Sequence, residues 1–358
     1  MPPISIMIKP VSGACNLQCR YCFYADEATH RQTLSYGVMQ SETVRNLVRK
    51  AFIYSDDAIS FTFQGGEPLL AGIEFFKSFV NCVSEYNTKR LQISFSVQTN
   101  GTLLDDEFCA FFAENNFLVG VSLDGTKEIH DSLRGNSYDD TMKGIRCLQK
   151  HSVEFNILCV LTNNIADNLQ DVWKALAPFR YIQFIPCIDG FYGESYPYSL
   201  DAATYGKALV KIFDLYKTAL YSGAPISERR IDNYLSLLAG FPPEHCGMSG
   251  ECGMYFLCEA DGSIFPCDFY VLDEWKLGNI NETSFMRMEK GDIMSRFQSE
   301  GRQIPDECHN CKYFLFCRGG CRRDREPTLL TNRFCESYKY FFDKRLDDMK
   351  SLTMWLSR

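Results

Sequence analysis

Between residues 4 and 189, short apolar runs alternate with stretches in which apolar positions recur every three to four residues. The runs at 4–10, 58–63, 91–98, 118–123, 154–162 and 181–188 are rich in β-branched and aromatic residues and read as strands. The stretches at 73–86, 105–115, 138–151 and 169–179 carry the helical period. Strands separated by helices at intervals of about thirty residues are repeated βαβ units. Right-handed crossovers then close, or partly close, a parallel barrel, so the expected fold class is α/β with a partial parallel (β/α)6 barrel. An open Rossmann-like sheet shows the same alternation, and periodicity alone does not separate the two.

Polar punctuation follows each strand: Gln64-Gly65-Gly66-Glu67-Pro68, Gln98-Thr99-Asn100-Gly101, Ser122-Leu123-Asp124-Gly125, Thr162-Asn163-Asn164 and Cys187-Ile188-Asp189. In a parallel barrel these points share the C-terminal rim, where ligands bind. Taken singly, each is also an ordinary turn. Residues 203–222 and 228–239 read as helices, and Gly240-Phe241-Pro242-Pro243 stops the second. A boundary is expected there, with the barrel and a helical extension in 1–240 and a second domain in 241–358. Past it the segments are short, Cys- and Gly-rich and weakly periodic, and are not expected to bury a large core. An aromatic-rich helix over 336–356 closes the chain.

Hydrophobic residues make up 46% and charged residues 23%, the balance of a soluble globular chain. A net charge of −8 argues against a nucleic-acid partner, which needs clustered Lys and Arg. No run of about eighteen apolar residues predicts a membrane span, and no signal peptide is apparent at the start; a cytoplasmic protein is expected. The 17 cysteines change the picture. Cys82, Cys109, Cys147, Cys159 and Cys187 are scattered and read as packing, as does Cys258. The others cluster at the two ends.

Cys15-x3-Cys19-x2-Cys22 follows the first strand. Three thiolates so placed can hold three corners of a four-iron cluster and leave one iron open to a ligand. A zinc site is the alternative, with His30 the histidine available to complete it. At the other end, Cys246-x5-Cys252-x14-Cys267 is followed by Cys308-x2-Cys311-x5-Cys317-x3-Cys321 and then Cys335, enough for two fully ligated four-iron clusters. Zinc competes here too, and the lack of histidine among these ligands, with the company of the front motif, favours iron.

The front spacing, with Tyr21 just before the third cysteine, resembles the signature of the radical SAM superfamily. That resemblance implies S-adenosylmethionine (SAM) on the open iron, with Gly65, Gly66 and Glu67 against its amino group and Ser122 and Arg134 contacting ribose and carboxylate. Arg suits a carboxylate because its fork reaches both oxygens. The C-terminal layout resembles the SPASM-type iron–sulfur domain. It implies one cluster on Cys246, Cys252, Cys267 and Cys321 and another on Cys308, Cys311, Cys317 and Cys335, so three [4Fe-4S] clusters in all.

Further stretches, Ile8-Lys9-Pro10, Cys22-Phe23-Tyr24, Phe63-Gln64-Gly65-Gly66-Glu67-Pro68, Pro266-Cys267-Asp268-Phe269-Tyr270 and Gly319-Gly320-Cys321-Arg322-Arg323, resemble the anaerobic sulfatase-maturating enzymes. The resemblance implies oxidation of a Cys or Ser in a sulfatase segment of the type Cys/Ser-x-Pro/Ala-x-Arg to Cα-formylglycine, with electrons from a flavodoxin or ferredoxin. Asp268 is then the base, and Tyr24 and Gln64 are its active-site neighbours. Pro186 departs from the family pattern, which has Asn there. An ordinary Asp, with a pKa of about 3.9, is a weak base for a thiol at about 8.5, a gap of about 6 kcal/mol. Prior loss of a hydrogen atom from the adjacent carbon acidifies the thiol and closes that gap. Two rivals stand beside this reading. One is a ribosomal-peptide maturase forming thioether or carbon crosslinks, which often carries an N-terminal leader-binding domain for which the start at Cys15 leaves no room. The other is a zinc-stapled binding module without catalysis.

Overall fold

The computed structural model describes residues 2–191, 195–325 and 330–356. Its strands in chain order are β1 (Ile4–Ile8), β2 (Ala58–Phe63), β3 (Gln92–Thr99), β4 (Phe117–Ser122), β5 (Phe155–Leu161), β6 (Tyr181–Pro186), β7 (Ser227–Glu228), β8 (Phe256–Cys258), β9 (Ser263–Phe265) and β10 (Gly278–Asn279). Each of the six expected strands forms. The expected helices form at Ile73–Tyr86, Asp106–Glu114, Tyr138–Lys150 and Leu169–Leu176, the last running on as a 3₁₀ turn, Ala177–Phe179. Of the described helices that were not anticipated, the longest is Ser41–Tyr54, which buries Val44, Leu47, Val48 and Ala51 at helical spacing.

The chain divides into two compact units. The first contains Met1–Ser122, Arg134–Phe155 and Gly253–Gln298; the second contains Leu123–Leu133, Asn156–Cys252 and Ser299–Arg358.

In the first unit, β1, β2, β3 and β4 pair side by side and parallel, with Ile8 opposite Phe63, Phe63 opposite Val97 and Val97 opposite Val119. Their C-terminal ends therefore align, and Gln64, Asn100 and Ser122 emerge or end there together. An aromatic core holds the helices Ile73–Tyr86 and Asp106–Glu114 to these strands: Phe63 lies 4.9 Å from Phe79 and 5.1 Å from Phe76, and Phe112 lies 4.9 Å from Phe117. Asp105 starts the second of these helices by accepting from Phe108 N at 2.9 Å.

β8 extends this sheet on the other side of β1, parallel to it, with Ile8 opposite Cys258, and β9 and β10 follow antiparallel. The Cys-rich region thus buries more than its composition suggested. Leu257, Ile264, Phe265, Val271, Ile280 and Phe285 are all wholly buried, and the helix Asp292–Arg302 adds Met294 and Phe297. β8 and β9 are buried along their whole three-residue lengths, although no run is long enough to stand out in the sequence. Cys258 sits in it, wholly buried, as packing.

The second unit holds β5 to β7, all parallel. Its helices Ala202–Tyr221 and Cys335–Leu356 meet through Phe213 and Phe341 and through a two-pronged ion pair, Arg345 to both oxygens of Asp214 at 2.8 Å. Two of the polar strand ends prove structural here. Thr162 caps the helix Asn163–Asp167, and buried Asp124 accepts from Val160 N at 3.0 Å.

Candidate active site

Every residue of the front motif and of the expected reaction centre lies in the first unit. The chain leaves β1 through a turn in which Ser12 has a left-handed φ of 56° and Ala14 N donates to Val11 O. Cys15, Cys19 and Cys22 follow, and Cys22 opens the helix Phe23–Thr29. The loop after β2 packs backbone to backbone against this turn: Gly66 N donates to Ser12 O at 3.1 Å and Glu67 N to Ala14 O at 2.8 Å. A side chain at Gly66 would put its Cβ 1.9 Å from Ala14 O, so close approach requires the glycine.

Glu67 points inward. Its carboxylate accepts from Leu69 N at 3.1 Å, Thr99 Oγ1 at 2.8 Å and Asn100 N at 2.8 Å, which ties the loops after β2 and β3 together. Burial pushes its pKa up to about 7 against the pull of those donors. Asn100, positioned by this brace, lies with Nδ2 3.9 Å from Cys15 Sγ and 2.9 Å from Asn16 Oδ1. Arg134 places Nη1 3.8 Å from Cys19 Sγ and its guanidinium 5.2 Å from the centre of the Tyr21 ring. Ser122 is buried at the end of β4.

The donor set fits an iron–sulfur cluster. Donors aimed at thiolate sulfurs are what such clusters use, and Leu17 N adds a third at 3.4 Å from Cys15 Sγ. Zinc would draw its thiolates to about 3.8 Å from one another. Among the described residues no three cysteines bring their sulfurs within 4.8 Å of one another. The one gathering of His, Cys and carboxylate that does so is Asp106, Cys147 and His151, where Lys150 Nζ already sits 2.7 Å from the shared Asp106 Oδ1.

In the second unit the thiols fall into two groups. Cys308, Cys311 and Cys335 are the thiols whose charge reaches Cys317, which burial pushes up to about 11. Cys246 and Cys252 are those that reach Cys321, raised by burial. Gly319 and Gly320, both at positive φ, turn the chain between Cys317 and Cys321.

Asp268 follows Cys267 after β9 and is buried. Gln64 Nε2 donates to Asp268 Oδ2 at 2.9 Å and to the Tyr24 hydroxyl at 2.6 Å, and that hydroxyl lies 3.4 Å from the same Oδ2. The three residues expected together are therefore together. Burial, then the charges of Asp268 and Glu27, hold the Tyr24 phenol well above its ordinary pKa, so it is a hydrogen-bond donor.

Residues not anticipated surround this group. The Tyr255 hydroxyl donates to Asp268 Oδ1 at 2.6 Å. Behind Tyr24 lies a buried ionic cluster. Lys9 Nζ is 4.4 Å from the ring centre and 3.5 Å from both Glu27 and Glu259 carboxylates, and Arg31 Nη1 reaches Glu259 at 2.9 Å. Glu27, pushed up to about 7 by burial, accepts from Val271 N at 2.7 Å and so ties the helix after Cys22 to the segment after Asp268. Lys9 had appeared only as part of a resemblance, and nothing in a local pattern signals that a lysine at a strand end is buried.

The chain matches the family model of the Radical SAM superfamily over residues 10–173 and that of the iron-sulfur cluster-binding domain SPASM over residues 250–312. It is 41% identical to a cysteine-type anaerobic sulfatase-maturating enzyme of Clostridium novyi, over 98% of this chain and 97% of that one. With a serine-type anaerobic sulfatase-maturating enzyme of Bacteroides thetaiotaomicron it shares 32%, over 95% and 89% of the two chains. Its fold superposes on native anSMEcpe with bound AdoMet and Cp18Cys peptide with a TM-score of 0.94 at 39% identity, covering 99% of this chain and all of the other. These likenesses run over nearly the whole chain, and the chain belongs to the anaerobic sulfatase-maturating enzymes of the radical SAM superfamily.

Proposed function

We propose that this protein oxidises a cysteine side chain of a sulfatase polypeptide to Cα-formylglycine. The observation that carries the reading is Asp268, a buried carboxylate held by Gln64 and Tyr24 in the same compact unit as the Cys15, Cys19 and Cys22 loop. Cys15, Cys19 and Cys22 would hold the front cluster, and Tyr21, Gly65, Gly66, Ser122 and Arg134 would surround SAM, with Glu67 bracing the loop from behind. The ligand sets of the other two clusters are those the family pattern implies: Cys246, Cys252, Cys267 and Cys321, and Cys308, Cys311, Cys317 and Cys335.

When bound, these groups supply a 5′-deoxyadenosyl radical that removes one hydrogen atom from the substrate Cβ and a sink for the remaining electron. The chain's own part is the proton. Asp268 Oδ2 receives it from the substrate sulfur, while Gln64 and the neutral Tyr24 phenol hold that oxygen by donating to it. Loss of a hydrogen atom, a proton and an electron leaves a thioaldehyde, which water converts to the aldehyde with release of sulfide.

A cysteine substrate is favoured because the relatives at about 40% identity are cysteine-type and those nearer 30% are serine-type. The crosslinking alternative is not favoured, since relatives along the entire chain are sulfatase-maturating enzymes. The low-potential electrons would come from a flavodoxin or ferredoxin in the cytoplasm. Among the described residues no helix is long and apolar enough to cross a membrane.

Mass spectrometry of sulfatase-derived Cys and Ser peptides, incubated side by side with the reconstituted enzyme and SAM, tests the proposal. The expected product exchanges sulfur for oxygen and reacts with a hydrazide, and the Cys peptide turns over faster. A product that keeps its sulfur would refute it.

A further inference from the structure

β8 and β9 form a hairpin in which Leu257 faces Phe265 and Cys258 faces Ile264. Continuing that register two residues past the paired strands sets Tyr255 opposite Cys267, so the tyrosine is built into the frame that carries Asp268. Its hydroxyl occupies one corner of a closed arrangement. It donates to Asp268 Oδ1 at 2.6 Å, accepts from the Asp268 backbone N–H at 3.3 Å, and lies 3.5 Å from Cys267 Sγ.

A carboxylate has two oxygens and a free rotation about its last bond. Here that freedom is removed from both sides. Oδ1 belongs to Tyr255, and Oδ2 belongs to Gln64 and Tyr24. Oδ2 is the oxygen that meets Gln64 and Tyr24, the two residues the family pattern sets beside this carboxylate. A base must lie within hydrogen-bond reach of the proton it takes, so an error of one bond rotation would remove it from use.

We propose that Tyr255 is a positioning residue of the oxidation: by capturing Asp268 Oδ1 with its hydroxyl, it commits Oδ2 to the substrate proton. The inference rests on Asp268 being the proton acceptor and names the group that makes it one in geometry.

Tyr255→Phe removes the hydroxyl and keeps the ring. In the reconstituted enzyme with a Cys peptide, the rate of aldehyde formation is expected to fall about 10- to 100-fold, the usual effect of losing a group that orients a reacting one. SAM cleavage continues, so 5′-deoxyadenosine accumulates per aldehyde formed, and KM for the peptide stays within about twofold. Cluster absorbance and EPR spectra like those of the wild type separate this from loss of iron. The ratio of 5′-deoxyadenosine to aldehyde is read only from molecules that turn over, so it decides the matter even where part of the variant fails to fold.

The double variant Tyr255→Phe/Asp268→Asn should lose no more than Asp268→Asn alone, because the tyrosine works through the carboxylate. An unchanged ratio in Tyr255→Phe, a higher KM with kcat intact, or losses that multiply in the double variant would overturn the proposal. An Asp268→Asn enzyme that forms aldehyde at the wild-type rate would instead defeat the base assignment itself, whatever Tyr255 does.

Discussion

At Asp268 the chemistry comes down to one oxygen atom. Gln64 and Tyr24 are arranged to donate to a charged Oδ2, and an amide in its place offers no site for a proton of comparable affinity. Asp268→Asn keeps the shape and the neighbours. It should slow aldehyde formation by at least about 100-fold, the low end of what a positioned base contributes, while 5′-deoxyadenosine is still released. Chromatography of both products from one reaction checks this, and wild-type turnover would remove Asp268 from the base role. Of the residues in this centre, Asp268, Tyr24 and Gln64 were legible in the sequence through family motifs. Tyr255 was not: its partner is 13 positions away across a hairpin whose strands are only three residues long, too short to read from alternation.

Among the elements, the turn after β1 and the loop after β2 act as one piece, since their backbones touch without side chains between them. Gly66→Ala forces a Cβ to 1.9 Å from Ala14 O, where only backbone movement can make room. We expect that variant to lose front-cluster iron and SAM cleavage together. Gly13→Ala, in the same loop but with nothing within 4 Å of the added carbon, should keep both. Iron analysis and 5′-deoxyadenosine assays on the pair give the answer, and equal behaviour of the two would mean that the close approach does not shape the cluster loop. The strand–helix alternation was readable from periodicity to within a few residues. Beyond residue 240, β8 to β10 were not, because their apolar residues are interleaved with glycine and cysteine that suggest loop.

For the molecule as a whole, three carboxylic acids stand out: Glu27, Glu67 and Glu228 are each raised by burial from 4.5 to about 7. Between those values the folded chain holds protons that the unfolded chain releases, so each group's contribution is complete below about 4.5 and is lost as pH rises through about 7. Stability should therefore fall between about pH 5 and pH 8, by up to about 3 kcal/mol for a single fully buried acid. Glu228 isolates the effect, since it accepts from Phe184 N and Ile231 N, starts the helix Arg229–Leu238 and belongs to the second unit, whereas Asp268 belongs to the first. Glu228→Gln should flatten the dependence of the thermal midpoint on pH over that range. A variant with the wild-type slope would show that Glu228 is not protonated on folding.

By itself the sequence determined the parallel strand–helix order, the two cysteine clusters and the Asp next to Cys267, because periodicity, ligand spacing and motif are properties of neighbouring residues. Tertiary structure alone decided that Glu67 turns inward as a brace, that Lys9 is buried between Glu27 and Glu259, and that Tyr24 and Asp268 meet across 244 positions. Whether a charged or polar side chain faces solvent or a partner depends on which distant strands align. That is set by packing and register, to which no local stretch of chain is sensitive.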